Sequence, residues 1–217
     1  MSKIKTLVFV GGWARVAKTY NKFLSSRPGN FQVLIVSYYD LIENRNNLCM
    51  EDGLLRFMDN HSLDRVYLAG HSLGGEPCIR LAGKYPERVE ALFLIDSCGA
   101  LDKFTVFRLL KRFITTQAAY GIHKLKEDVV AFGQFCKRPI LYMRLVKHFY
   151  TLDLESQAKD ISTPTIILWG DRDYLVSRQQ TEKLKKYITS SRLLILKDAD
   201  HDWIIHSPKY FWKNFQV

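Results

Sequence analysis

The sequence lacks any apolar run close to the roughly 20 residues that a bilayer-spanning helix needs. It also lacks the long apolar segment and small-residue cleavage site of a secretory leader, because the chain passes from Met1–Lys5 straight into a short apolar run. These absences predict a protein that works in the cytoplasm.

Cysteine is scarce as well, with four residues among 217, at positions 49, 78, 98 and 136. They are widely spaced, no two form a Cys-x-x-Cys pair, and no histidine cluster has the spacing of zinc ligands. We therefore expect reduced thiols and no metal site. Internal repeats, low-complexity tracts and linkers are absent too, and the length suits one domain with a substantial core.

The most informative stretch runs from Arg65 to Ala82. It begins with a short apolar run, Val66–Ala69, of the kind that forms a strand buried on both faces. It ends in residues at helical spacing from Gly75 onward, with Pro77 early, where a missing N–H costs nothing. Between the two lies Gly70-His71-Ser72-Leu73-Gly74, which fits Gly-x-Ser-x-Gly.

A strand that reverses into a helix within five residues forces its central residue into a strained conformation. The residues two before and two after it must be small, because larger side chains would collide. This turn would hold the Ser72 hydroxyl above the sheet edge, at a helix N-terminus, as a serine nucleophile. The competing interpretation is a glycine-rich turn whose serine only caps the helix.

Apolar runs alternate with helical patterns along the whole chain, which predicts a parallel sheet covered on both faces. The predicted strands are Thr6–Val10, Phe31–Tyr38, Val66–Ala69, Ala91–Ile95, Thr165–Trp169 and Leu193–Leu196. Such sheets bind ligands at the carboxyl ends of their strands. Ser72, Asp96, Asp173 and His201 all follow such ends closely.

Helices are expected over about Val16 to Ser25 and Asn46 to His61. Ser177 with Gln180 predicts a capping box for a helix that runs to about Ile188. Ser207 followed by Pro208 predicts the N-cap and first turn of a terminal helix.

The order serine, aspartate, histidine is that of the α/β-hydrolase triad. The chain resembles that family over nearly its whole length, on Leu63 to Gly75, Tyr85 to Asp96, Gly170-Asp171-Arg172-Asp173 and Asp200-His201. The resemblance implies an α/β fold with a mostly parallel sheet of about six strands. It also implies that the antiparallel strands that usually come first would be missing, and that a helical cap would be inserted after the Asp96 strand.

The resemblance also implies site residues. Asp173, rather than Asp171, would be the acid and His201 the base, while Asp96 is the alternative acid. Gly11-Gly12-Trp13 matches the oxyanion loop, so that the N–H groups of Trp13 and Leu73 would be the donors and Gly12 would border the substrate pocket. Gly11 replaces the family's histidine, and Asp198 and Ala199 replace its usual glycines. His71 is expected to be structural.

Residues 99–162 would form the cap and residues 1–98 and 163–217 the core, with Phe104 and Phe107 as candidate pocket residues. From Leu101 to Lys147 there are ten Lys or Arg and three Asp or Glu, a net +7 of the chain's formal +10. The basic cap could be a solvated face, or could attract an acidic carrier protein or an anionic membrane surface. Nothing resembles a nucleic-acid-reading motif, so no nucleic-acid partner is expected.

These features predict a carboxylic ester hydrolase without cofactor or metal, acting as an esterase, lipase or lactonase on a small or medium acyl substrate. One alternative is an esterase whose acyl ester is carried on an acidic protein that docks on the cap. The alternative from another class is a catalytically inactive hydrolase fold that serves as a binding module.

Overall fold

The fold is built on a six-stranded sheet in which every neighbouring pair of strands is parallel. The computed structural model describes residues 4–13, 15–42, 49–100, 133, 136–152 and 154–215. The strands are β1 (Lys5–Val10), β2 (Phe31–Val36), β3 (Val66–His71), β4 (Val89–Ile95), β5 (Thr165–Gly170) and β6 (Ser191–Leu196). Their order across the sheet is β2-β1-β3-β4-β5-β6. The predicted parallel α/β sheet is therefore confirmed.

Helices cover both faces of this sheet. The α-helices are α1 (Asn21–Ser25), α2 (Met50–Asn60), α3 (Gly75–Lys84), α4 (Pro139–Thr151), α5 (Glu155–Lys159), α6 (Arg178–Tyr187), α7 (Trp203–His206) and α8 (Lys209–Lys213). One buried cluster unites the sheet with α2, α3 and α4, and a second unites it with α1, α7 and α8. Burial on both faces explains why β4 and β5 consist almost wholly of apolar residues.

Two helix termini test the caps that were predicted at Ser177 and Ser207. The capping box is confirmed, since the Ser177 side chain accepts the Gln180 N–H and the Gln180 side chain accepts the Ser177 N–H. The predicted N-cap at Ser207 is wrong. Ser207 instead closes α7, where its N–H donates to the Trp203 carbonyl at 2.7 Å, and α8 begins after Pro208 without a side-chain cap.

The segment predicted as one helix from Val16 divides into a 3₁₀ turn, Ala17–Tyr20, followed by α1. The tighter turn places Tyr20 inside the protein, where its ring lies 4.8 Å from that of Phe9 between centroids.

The described part of the predicted cap packs against α3. Leu141 and Leu145 of α4 belong to the same buried cluster as Ile79 and Leu81 of α3. The division into core and cap stays a prediction. Residues 101–132, with the candidate pocket residues Phe104 and Phe107, lie outside the described residues.

All four cysteines lie within the described residues, and none of them forms a disulfide. Burial raises the pKa of the Cys78 thiol well above its usual value. In the described ranges, no helix is both long and apolar enough to cross a bilayer.

Candidate active site

Ser72 lies at the turn between β3 and α3, with a backbone φ of 53° in the left-handed region. Non-glycine residues pay a steric cost there. A Cβ added to Gly70 would come within 2.6 Å of the Gly74 carbonyl oxygen, and one added to Gly74 would come within 2.6 Å of that of Gly11. Both glycines are therefore required by the close approach of backbone segments, as the motif predicts.

Three of the predicted site residues meet in a hydrogen-bonded line. His201 Nε2 lies 2.9 Å from Ser72 Oγ, and His201 Nδ1 lies 2.8 Å from Asp173 Oδ2. Asp173 and His201 are buried, whereas Ser72 is partly exposed. Since a carboxylate accepts hydrogen bonds, Nδ1 carries the proton and Nε2 is left to accept from the Ser72 hydroxyl.

Backbone donors hold Asp173 in place. Its Oδ1 accepts the N–H groups of Leu175 at 2.7 Å and Val176 at 2.9 Å, which leaves Oδ2 directed at the histidine. Asp171 is exposed, and no hydrogen bond among the described residues joins its side chain to His201.

The alternative acid, Asp96, follows the neighbouring strand β4 and is also buried. Its Oδ1 accepts the Gly170 N–H at 2.8 Å, so it braces the strand end that carries Asp173. Burial, and then the nearby charge of Asp173, raise the pKa of Asp96 well above its usual value. The structure thus places Asp173, and not Asp96, in contact with the His201 ring.

His201 lies on the turn that follows β6, and the backbone of this turn explains why an aspartate can replace a glycine at position 198. Asp198, where the sequence departs from the family's glycine, has a φ of 59°. Aspartate tolerates this region better than most residues. Its side chain pairs with Arg172, which holds the turn against the loop of Asp173.

The predicted oxyanion loop lies beside the serine. A Cβ on Gly12 would come 3.1 Å from Ser72 Cβ, so there is no room for a side chain between the loop and the nucleophile position. Trp13 follows it and is partly buried, and Leu73 follows Ser72 within the 3₁₀ turn Ser72–Gly74 and is buried. One guanidinium nitrogen of Arg15 lies 2.8 and 3.0 Å from the two carboxylate oxygens of Asp202, which ties this loop to the residue after His201.

Behind this surface lies a polar chain that the sequence reasoning did not find. The Gly12 N–H donates to the Tyr20 hydroxyl at 2.9 Å, and that hydroxyl lies 2.8 Å from His71 Nδ1. His71 Nε2 lies 2.9 Å from the His201 carbonyl oxygen. Burial, helped by the proximity of His201, lowers the pKa of His71 to about 4, so its ring is neutral near pH 7. Nothing in the sequence around Tyr20 signals this contact.

A second unforeseen group surrounds Glu76 in the first turn of α3, whose side chain is fully buried. Tyr38 donates its hydroxyl to Oε2 at 2.7 Å, and His148 of α4 lies 2.7 Å from Oε1. Arg80, one helical turn later, contacts Oε1 at 3.1 Å. Burial and the Glu76 charge raise the pKa of Tyr38. This cluster joins α4 to the helix that begins at the serine turn.

No group of three or more His, Cys, Asp and Glu side chains within the described ranges is arranged to hold a metal ion.

Comparison with known proteins agrees with this architecture. Residues 12–132 match the sequence profile of the alpha/beta hydrolase fold family. The chain belongs to that family.

Individual relatives are distant. The chain is 24% identical to Lipase 1 of Psychrobacter immobilis, over 63% of this chain and 50% of that lipase. It therefore spans about half the length of that lipase, and the same holds for Lipase 3 of Moraxella sp. TA144. It is also 24% identical to the pimeloyl-[acyl-carrier protein] methyl ester esterase of Nitrosomonas europaea, over 97% of this chain and 94% of that protein.

Among solved structures, the fold is similar to that of a bacterial membrane phospholipase A, with a TM-score of 0.79 and 18% identity. The match covers all of this chain and 78% of that protein. At this identity the likeness concerns the fold.

Proposed function

We propose that the protein is a serine hydrolase that cleaves carboxylic esters through an acyl-enzyme. The observation that carries the proposal is the hydrogen-bonded line from Ser72 through His201 to Asp173, with Ser72 on a strained turn. A nucleophile, a base in contact with it and a group that orients the base are what nucleophilic catalysis requires.

In the first half-reaction, Ser72 Oγ forms a bond to the ester carbonyl carbon while its proton passes to His201 Nε2. The carbonyl oxygen becomes an oxyanion, which the N–H groups of Trp13 and Leu73 would receive. When the intermediate collapses, the bond between the carbonyl carbon and the alcohol oxygen breaks, and the alcohol leaves with the proton from His201. Asp173 orients the imidazole and stabilises its charged form.

In the second half-reaction, a water molecule gives a proton to His201 Nε2 as its oxygen bonds to the acyl carbon. Collapse of this intermediate breaks the bond to Ser72 Oγ, which takes the proton back. The carboxylic acid is released and the enzyme is regenerated.

The experiment has two arms. A fluorophosphonate probe should label the wild type and the Ser156→Ala control, whose serine is exposed on α5, but not Ser72→Ala. p-Nitrophenyl esters of graded acyl length and a panel of lactones should then give turnover that Ser72→Ala abolishes. An unlabelled wild type would instead favour the inactive binding module.

A second, narrower candidate is an esterase acting on acyl groups carried by an acidic carrier protein. It is supported by the similarity to the carrier-protein methyl ester esterase over nearly the full length of both chains. It is also supported by the net +7 from Leu101 to Lys147, part of which is exposed in the described residues at Lys137, Arg138 and Arg144. Surface charge of this kind steers association with an oppositely charged partner.

Charge reversal tests this candidate. Lys111→Glu with Arg112→Glu should leave kcat/KM for a small soluble ester unchanged and lower it for an ester carried on acyl carrier protein, with an effect that shrinks as salt rises. Lys209→Glu with Lys213→Glu on α8 makes the same charge change away from the predicted cap and serves as control. Equal effects of the two pairs would contradict carrier docking, and a loss on anionic vesicles alone would point to a membrane.

A further inference from the structure

Tyr20 and His71 form a buried bridge beneath the candidate site. Tyr20 is fully buried at the end of the 3₁₀ turn, and its ring meets the edge of the His71 ring at 5.9 Å between centroids and an interplanar angle of 81°. A Cβ at Gly11 would come 2.9 Å from Tyr20 Cε2, so the absence of a side chain at Gly11 makes room for the tyrosine. The bridge therefore depends on a glycine at position 11 of the predicted oxyanion loop.

The hydrogen-bonding roles in this bridge follow from one fixed point. The His201 carbonyl oxygen can only accept, so His71 Nε2, which lies 2.9 Å away, carries a proton. In the neutral ring Nδ1 is then an acceptor, and the Tyr20 hydroxyl donates to it at 2.8 Å. The hydroxyl oxygen in turn accepts the Gly12 N–H at 2.9 Å. One tautomer of His71 satisfies every group, so the direction of each bond is determined.

The bridge connects three parts of the site that are distant in sequence. Gly12 directly precedes Trp13, the proposed oxyanion donor, and lies so near Ser72 that a Cβ at Gly12 would come 3.1 Å from Ser72 Cβ. His71 directly precedes Ser72, and the carbonyl that it binds belongs to His201. Because the Gly12 N–H is held by the buried Tyr20 hydroxyl, it points into the protein. This anchor is therefore placed to orient the next peptide, which carries the Trp13 N–H.

We propose that Tyr20 and His71 are positioning residues that set the oxyanion loop and the backbone of His201 relative to Ser72. This inference rests on the proposed function. Neither residue touches substrate in this role, so the two act through the Gly12–Trp13 peptide and through His201. Misplacement of a catalytic group by about 1 Å costs on the order of 100-fold in rate, and one oxyanion donor is worth about 100- to 1,000-fold.

The test is Tyr20→Phe, which removes one oxygen atom and keeps the ring packed on Phe9. We expect kcat for a p-nitrophenyl ester to fall about tenfold to a hundredfold, with KM changed less than twofold. Affinity for a trifluoromethyl ketone, which adds to Ser72 and develops the oxyanion, should fall by a similar factor. Tyr38→Phe removes an equally buried hydroxyl bonded to Glu76 and should leave both quantities within threefold of the wild type.

Two variants of His71 separate the halves of the bridge. His71→Gln can still donate to the His201 carbonyl but loses the Tyr20 contact, so ketone affinity should fall as in Tyr20→Phe. His71→Asn can still accept from Tyr20, so it should keep more of that affinity while losing kcat. The histidine tautomer can also be read directly, since the ¹⁵N shifts of His71 in the wild type should show a proton on Nε2 alone at pH 7.

The outcomes are distinguishable. If the wild type turns over esters and Ser72→Ala does not, the proposed function stands. In that case, unchanged kcat and ketone affinity in Tyr20→Phe, or a proton on Nδ1 of His71, would overturn the positioning role alone. Absence of any Ser72-dependent turnover would overturn both proposals.

Discussion

Asp173 and Asp96 are buried carboxyl groups that follow neighbouring strands, and only Asp173 contacts His201. Asp173 accepts two backbone N–H groups and the histidine, whereas Asp96 binds the Gly170 N–H. Their surroundings are thus unequal, and burial beside the Asp173 charge raises the pKa of Asp96. Because the two carboxyl groups have different hydrogen-bond partners, we expect them to take different roles.

The first prediction concerns which carboxyl supports catalysis. Asp173→Asn should lower kcat for a p-nitrophenyl ester by about 10⁴-fold, because an amide favours the wrong histidine tautomer and cannot stabilise its charged form. Asp96→Asn should cost less than tenfold, since asparagine keeps an oxygen for the Gly170 N–H. Asp171→Asn is the exposed control. A greater loss for Asp96→Asn than for Asp173→Asn would reassign the acid.

The second prediction concerns the stability cost of Asp96. Because its pKa is raised in the folded state, the folded protein binds more protons than the unfolded chain above pH about 3.8, and its stability falls as pH rises through that window. Asp96→Asn lacks this proton exchange. The free energy of unfolding of Asp96→Asn, relative to that of the wild type, should therefore increase from pH 5 to pH 8, as measured by urea denaturation. A gain that stays constant over this range, or one matched by Asp171→Asn, would contradict the shift.

The third prediction concerns His71, whose shift has the opposite consequence for acid stability. Its pKa is about 4 in the folded protein and about 6.5 when unfolded, so between these values the unfolded chain binds more protons. The folded state should lose on the order of 3 kcal/mol as pH falls from 6.5 to 4. His71→Asn should flatten that part of the urea-derived stability profile, whereas His61→Asn, at an exposed histidine, should not. Parallel profiles for wild type and His71→Asn would refute the prediction.

The fourth prediction concerns backbone strain at Ser72. Its φ of 53° burdens any residue with a Cβ, so alanine retains the strain that glycine relieves. Both variants should lack the nucleophile, yet Ser72→Gly should be more stable than Ser72→Ala by about 1 kcal/mol in urea denaturation. Equal stabilities would mean that the surrounding packing, rather than the turn conformation, dominates at this position.

Much of the architecture is predictable from local pattern. Buried strands such as β4 and β5 are continuous apolar runs, and the capping box at Ser177 is a short-range hydrogen-bonding pattern. Boundaries were less accurate, because His71 and Gly170 extend their strands through ladder contacts that no local pattern reveals. The N-cap at Ser207 failed because α7 already uses that residue.

The sequence alone carries the glycine spacing around Ser72 and the alternation of strands and helices along the chain. The spacing predicted the sharp turn at Ser72, and the alternation predicted the edge of the sheet where the candidate site lies. The carboxyl ends of parallel strands meet at one edge, so Ser72, Asp173 and His201 were expected to converge there. Their catalytic roles stay predictions.

Only the tertiary structure decided which carboxyl meets His201, because β4 and β5 are neighbours and aspartates follow both of them at the same edge of the sheet. It alone joined Tyr20 to His71 and Glu76 to His148, pairs separated by 51 and 72 residues. Such contacts depend on how helices and loops pack over the sheet, and residue type and spacing carry no record of that packing.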